Sequence, residues 1–221
     1  MGSIEFMPPE SSNTPVRSRL QLKAETHERV IAKARALFLK HGFDGVTIRD
    51  IAEAAHVSSG TVSSQYGSKS ALFSAVLRDA YDKSATLALQ ADEPGQAVAR
   101  RLSSMFAALY DFHFDGLDIM RAAILAGWQS APETRTINRD ALRLIRTTIS
   151  NVLEDGVRSG ELMSAIDSRL AAETLMDLYV MSYQRAILND EDASATKARF
   201  NRVIILIVGG LRALPTTNAE R

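Results

Sequence analysis

The chain contains no cysteine, four histidines, six prolines and one tryptophan in 221 residues. Without cysteine there are no disulfides, no thiolate metal sites and no thiol redox sensing. The histidines, at 27, 41, 56 and 113, are scattered and form no Glu-x-x-His pair, so a bundle metal site lacks its ligand set. No Gly-rich loop of the phosphate-cradling type is present. The longest apolar run, Val203 to Leu211, is too short to span a bilayer, and no secretory signal is visible. A cytoplasmic protein without metal or cofactor is the expectation. Net charge is missing too: 26 basic residues balance 26 acidic ones, so the field of the whole molecule selects no partner. The distribution is less even. Between Arg17 and Asp79 ten bases stand against six acids, and the remainder is slightly acidic, the asymmetry of a nucleic-acid module joined to a neutral one.

Alternating strand patterns are absent as well, while apolar residues at helical spacing follow one another along the chain. The opening "MGSIEF" reads as an expression scar before a native start at Met7, and "PPESSNTPVRSR" as a mobile arm. Helix one is expected from Thr26 to His41, ended by Gly42. Helix two opens at Thr47, with Asp50 completing an approximate capping box, and buries Ile48, Ile51, Ala52 and Ala55. Helix three begins at Ser58 or Ser59 and stops at Gly67; helix four starts after Ser68. Longer helices follow over about 96–114, 117–128, 132–159, 168–188 and 193–214. The fold class is all-α: a compact three-helix head, joined by a fourth helix to a larger helical body. The expected divisions are an arm over 1–22, a head over 23–83 with its helix-turn-helix at 47–66, a body over 84–215 and a tail over 216–221.

The stretch "AAHVSSGTVSSQYGSK" carries the clearest signal. The chain reverses at residue 56, where positive φ is normally taken by Gly; histidine is among the few other residues that tolerate it. Helix three then buries only Val62 and Tyr66, leaving Thr61, Ser63, Ser64 and Gln65 outward. Ser and Thr are poor helix formers because their hydroxyls compete for backbone hydrogen bonds, so a merely solvated face would not favour them. Small polar side chains do let a helix backbone approach the floor of a major groove. Gln pairs with the N6 and N7 edge of adenine, and Ser or Thr reaches phosphates and base edges.

Residues 29 to 73 resemble the DNA-binding domain of the TetR family of transcriptional repressors. The matching positions are Ala34, Phe38, Gly42, Thr47, Ile51-Ala52, Val57-Ser58, Gly60-Thr61, Ser68-Lys69 and Leu72. The body is similar only in layout and in "GVRSGEL" at 156–162. The resemblance implies that Thr47, Ser58, Tyr66 and Lys69 touch phosphates and that Thr61, Ser64 and Gln65 face base edges. Ser59 and Ser63 complete the DNA-binding set. Positions depart from the family pattern: His56 stands for the usual Gly, Ser63 for Tyr and Tyr66 for Phe, and Gln65 stands where the family has His or another polar residue. The missing tyrosine matters most, because in the family it commonly meets the DNA backbone and Ser63 makes only a shorter contact. Arg17, Arg19 and Lys23 either reach an adjacent minor groove or form a solvated arm.

The last helix reads "RFNRVIILIVGGLRAL", whose run from Val203 to Val208 covers every side. It is either a central core helix or one buried against a second copy of the chain. The resemblance selects the second, with Tyr179, Phe200, Val203, Ile204, Ile207, Val208 and Leu211 at a homodimer interface. Two recognition helices then face a palindromic operator in double-stranded DNA. Phe106, Tyr110, His113, Met120, Ile124, Trp128, Met176, Tyr179 and Tyr183 are spaced as ordinary core; the resemblance implies that some of them line a pocket for a small, largely apolar or aromatic effector that releases DNA. His113, Arg121 and Arg185 are its candidate polar handles. An effector-independent regulator, an activator and, remotely, a helical-bundle enzyme are the alternatives.

Overall fold

The computed structural model describes residues 18–114, 119–125 and 132–212, with the side chains of all but 125 and 132–141. The described residues form nine helices: α1 Arg19–His41, α2 Ile48–Ala54, α3 Ser59–Tyr66, α4 Lys69–Gln90, α5 Val98–Phe114, α6 Ile119–Leu125, α7 Pro132–Arg158, α8 Ser168–Leu188 and α9 Ala193–Gly210. Their only β pairing is an isolated antiparallel bridge, Leu162 to Arg212.

Local chemistry sets the helix ends in the head. Ser18 caps α1 through a capping box with Gln21, and Gly42 ends it at φ 72°. Thr47 and Asp50 form the corresponding box on α2. The Ser58 hydroxyl accepts from the Thr61 amide to start α3, and Ser68 does the same for Ala71 at the start of α4. The core of the head gathers Val30, Ile31, Ala34, Phe38, Val46, Ile51, Val62, Leu72 and Phe73, all essentially removed from water. Phe38 and Phe43 both meet Phe73 edge to face, at 5.0 and 5.4 Å between ring centroids.

Two boundaries differ from the sequence expectation. Helix α1 begins at Arg19, seven residues before Thr26, so Arg19 and Lys23 ride on a helix and not on an arm. Its first two turns are exposed, with Leu20 and Leu22 pointing to water, and so carry no apolar stripe to announce them. Helix α4 runs unbroken from Lys69 to Gln90, through the expected division at 83/84, and buries Ala85 and Ala88 in the body. No Gly or Pro interrupts it before Pro94-Gly95. Head and body therefore share one rod. Residues 1–17 of the arm, Trp128 and the tail at 216–221 lie outside the described residues.

In the body α5 and α7 pack against α4 and against each other, α9 packs on α5, and α8 bridges α7 and α9. Phe106, Tyr110, Tyr179 and Phe200 form its aromatic centre, with Phe106 and Phe200 4.9 Å apart and Tyr110 and Tyr179 4.8 Å apart. Helix α6 touches α1 and α4 on one side and α8 on the other. Arg101, on α5, lies buried between two carboxylates: its Nε and one terminal nitrogen donate to Asp92 at 2.7 and 2.8 Å, and the other donates to Asp155 at 2.8 Å. This pins the α4–α5 connection to α7.

Candidate nucleic-acid interface

The turn between α2 and α3 places His56 at φ 54°, as its position in the sequence requires. The Ala55 carbonyl just before it accepts from Arg29 Nε on α1 at 2.8 Å, which fixes the turn to the first helix. Helix α3 is lightly held. Val62 is its one fully buried side chain and Tyr66 is half-buried, while Ser59, Thr61, Ser63 and Ser64 are exposed. With Gly60 between them, these side chains give a smooth hydroxyl surface that stands clear of its own subunit.

The remaining predicted contact residues are already engaged. The Thr47 hydroxyl donates to the Asp50 carboxylate at 2.7 Å and its amide does so at 2.8 Å, which holds the Asp50 carboxyl below its ordinary range. The Ser58 hydroxyl caps α3 and pairs with the Thr61 hydroxyl at 2.8 Å. Lys69, expected as a simple phosphate contact, lies half-buried. Its Nζ donates to the Phe43 carbonyl at 2.9 Å and sits 4.3 Å from the centre of the Phe43 ring. Gln65 is half-buried too: its amide nitrogen lies 3.0 Å from Nδ1 of His27 on α1, and the Tyr66 hydroxyl lies 2.8 Å from the same nitrogen. Burial pushes the Tyr66 phenol up to about 12, so it stays protonated. Lys23 and Thr26 of α1 flank the hollow beside Ser58, Thr61, Ser64 and Gln65. The first turns of α1 thus share one open face with α3.

In the body a cavity of about 60 Å³ is enclosed by α4, α5, α6, α7 and α8. His113, Met120, Met176, Tyr179, Tyr183 and Leu109 line it, together with Tyr81, Ser84, Leu142, Ile145 and Val180, which the sequence did not single out. Phe106 and Tyr110 lie in the aromatic centre beside it, and Ile124 is half-buried on α6 away from it. Arg121 and Arg185 are not cavity handles; they pair at the surface with Asp190 at 3.6 Å and Glu191 at 3.4 Å. The expected dimer set also needs correction. Tyr179, Phe200, Ile204 and Val208 are buried inside the single chain, and Val203, Ile207 and Leu211 are half-buried. The exposed face of α9 carries Ile205, Leu206 and Gly209-Gly210, and the exposed apolar residues of α8 include Leu178, Met181 and Leu188. Periodicity could not divide a run that is apolar all round, whereas packing does.

Among the described residues no helix is long and apolar enough to cross a membrane, and no group of three His, Cys, Asp or Glu side chains is placed to hold a metal ion. A trihelical head with a capped, small-residue third helix set against a helical body defines a helix-turn-helix DNA-binding regulator. Residues 30–76 match the family of bacterial regulatory proteins named tetR. The chain is 25% identical over 178 residues to the HTH-type transcriptional repressor DhaR of Mycobacterium sp. (strain GP1), covering 80% of this chain and 83% of that one. It is 22% identical to the HTH-type transcriptional regulator UidR of Escherichia coli K12, covering 87% and 96%. The structure of the transcriptional regulator FadR from Bacillus subtilis in complex with stearoyl-CoA superposes with TM-score 0.69 at 19% identity, over 84% of this chain and all of that one (100%). Residues 30–76 thus carry a DNA-binding head of the tetR type, and the curated relatives named here are HTH-type transcriptional regulators.

Proposed function

We propose that the chain is a cytoplasmic, dimeric repressor that holds a palindromic operator with two copies of α3 and leaves it when a small, largely apolar or aromatic effector enters the body. Thr61, Ser64 and Gln65 read base edges from the major groove, and Ser63 makes a short contact to the DNA backbone. Thr47, Ser58, Ser59, Tyr66 and Lys69 hold the flanking phosphates, aided by amides at the helix N-termini. Exposed apolar stripes on α8 and α9, centred on Leu178, Met181, Ile205 and Leu206, cover each other across the two-fold axis.

One observation carries the release step: Tyr81 and Ser84, which line the cavity, lie on the same unbroken helix that begins at Lys69, directly behind α3. At about 60 Å³ the cavity has room for about two waters. An aromatic or acyl effector must widen it, and widening displaces α4. Helix α6 gives a second route, since Met120 lines the cavity while the helix touches α1. An effector releases DNA only by the amount that it prefers the widened state. The stearoyl-CoA held by the FadR neighbour supports an apolar effector class.

The test is an electrophoretic shift of the full-length chain on duplex from beside its own gene, with aromatic and acyl compounds titrated in. The reading expects a shifted complex of two protomers that one class of compound dissolves. A complex that every compound leaves intact favours the effector-independent regulator instead.

A further inference from the structure

His27, on α1, touches the base-reading end of α3. Two donors from that end converge on its Nδ1: the Gln65 amide nitrogen at 3.0 Å and the Tyr66 hydroxyl at 2.8 Å. Its ring also stacks on Tyr66, with centroids 5.9 Å apart and planes 25° from parallel. An amide nitrogen only donates, so Nδ1 must be the unprotonated nitrogen and the ring proton must sit on Nε2. This contact engages the Gln65 amide nitrogen and leaves the carbonyl oxygen without a part in it. Bidentate reading of adenine depends on which end of the amide faces which base atom.

We propose that His27 is a positioning residue for sequence readout: it fixes the amide orientation of Gln65 and reverses it when the imidazole gains a proton. The inference rests on the reading of Gln65 as a base contact. In the imidazolium form Nδ1 carries a proton and becomes a donor. It repels the amide NH₂ and donates to the carbonyl oxygen instead, so the side chain turns over and offers its two donors to the DNA. The Tyr66 hydroxyl changes from donor to acceptor within the same geometry. Charged groups around the ring are Arg78, Asp79 and Asp82 of α4, across a shared hollow, and Lys23 one turn earlier on α1; α3 adds only the Tyr66 phenol. Asp79 is itself held by Arg35 and Lys83.

The experiment selects binding sites for the full-length chain from a randomised duplex library, at about pH 7.5 and about pH 5.5. Wild type is compared with Gln65→Ala, His27→Phe, which keeps the stack without the acceptor, and His27→Asn, which offers an acceptor oxygen that does not titrate. At the higher pH, Gln65→Ala and His27→Phe each lower the preference at the same base position by about tenfold, while His27→Asn keeps it. Lowering the pH changes that preference in wild type but not in His27→Asn. Two results overturn the positioning role while sparing the reading of Gln65: His27→Phe retaining the preference that Gln65→Ala loses, or a wild-type preference at that position that ignores pH. If Gln65→Ala alters no position, the base contact fails, and the role of His27 fails with it.

Discussion

At residue 56 a histidine carries the left-handed backbone that reverses the chain between α2 and α3. An L-residue there costs roughly 1–2 kcal/mol, part of which glycine gives back through its freer unfolded chain. His56→Gly should therefore raise stability by about 0.5–1 kcal/mol in urea denaturation and leave DNA affinity unchanged; a loss of stability would show that the His56 side chain has a task. Lys69, which the family pattern places among the phosphate contacts, also has a task inside the head. Its ammonium spends one donor on the Phe43 carbonyl and lies against the Phe43 ring. Lys69→Met is expected to cost the head about 1 kcal/mol as well as weakening all duplexes alike, and thermal melting separates the two effects. Local rules made the caps at Thr47 and Ser58 and the stop at Gly67 legible, because each involves residues within a few positions. The link from Gln65 to His27 was not legible. It spans 38 residues, and neither side chain carries a pattern that points to the other.

Among the elements, α1 and α4 are longer than their apolar stripes suggest. The start of α1 is written in the capping box of Ser18 and Gln21, a signal weaker than the exposed, unpatterned turns that follow it. The continuity of α4 matters more, since it joins the cavity to the recognition helix. What holds the body end of that rod is Arg101, whose side chain is 7% exposed between Asp92 and Asp155. Arg101→Met leaves Asp92 without its partner in a mostly buried place and should cost about 3 kcal/mol, read from urea midpoints. The hydrogen bond from Arg101, with a second from Arg158, holds the Asp155 carboxyl below its ordinary value of 3.8. A depressed carboxylate contributes stability that is complete above that value and lost as the pH falls through the lowered one. Wild type should thus lose stability on the acid side that Arg101→Met has already lost, and equal acid sensitivity of the two would contradict the pairing. Gly156, in α7, is fixed by packing: a Cβ there would meet Val98 Cγ2 at 2.5 Å and Leu162 at 2.9 Å. Gly156→Ala should destabilise the body by about 1–3 kcal/mol, visible as a lower melting temperature.

For the whole molecule, the sequence showed that α9 is apolar on all sides but not which side remains open. Packing inside one chain takes Phe200, Ile204 and Val208, leaving Ile205 and Leu206. If those two residues lie between protomers, Leu206→Glu produces monomers in sedimentation and weakens operator binding through lost pairing of the two heads. In the proposed function the hydroxyl surface of α3 enters duplex DNA. Ser64→Glu tests it most directly, because Ser64 is exposed, makes no contact that the fold needs, and would bring a negative charge to the groove floor. Titrating wild type and Ser64→Glu against the selected duplex at low ionic strength should show tight, sequence-specific binding by the first. The second should lose at least a hundredfold in affinity, about 2.7 kcal/mol, with unchanged melting. Equal affinities for the two proteins, or no duplex bound by wild type, would contradict the account.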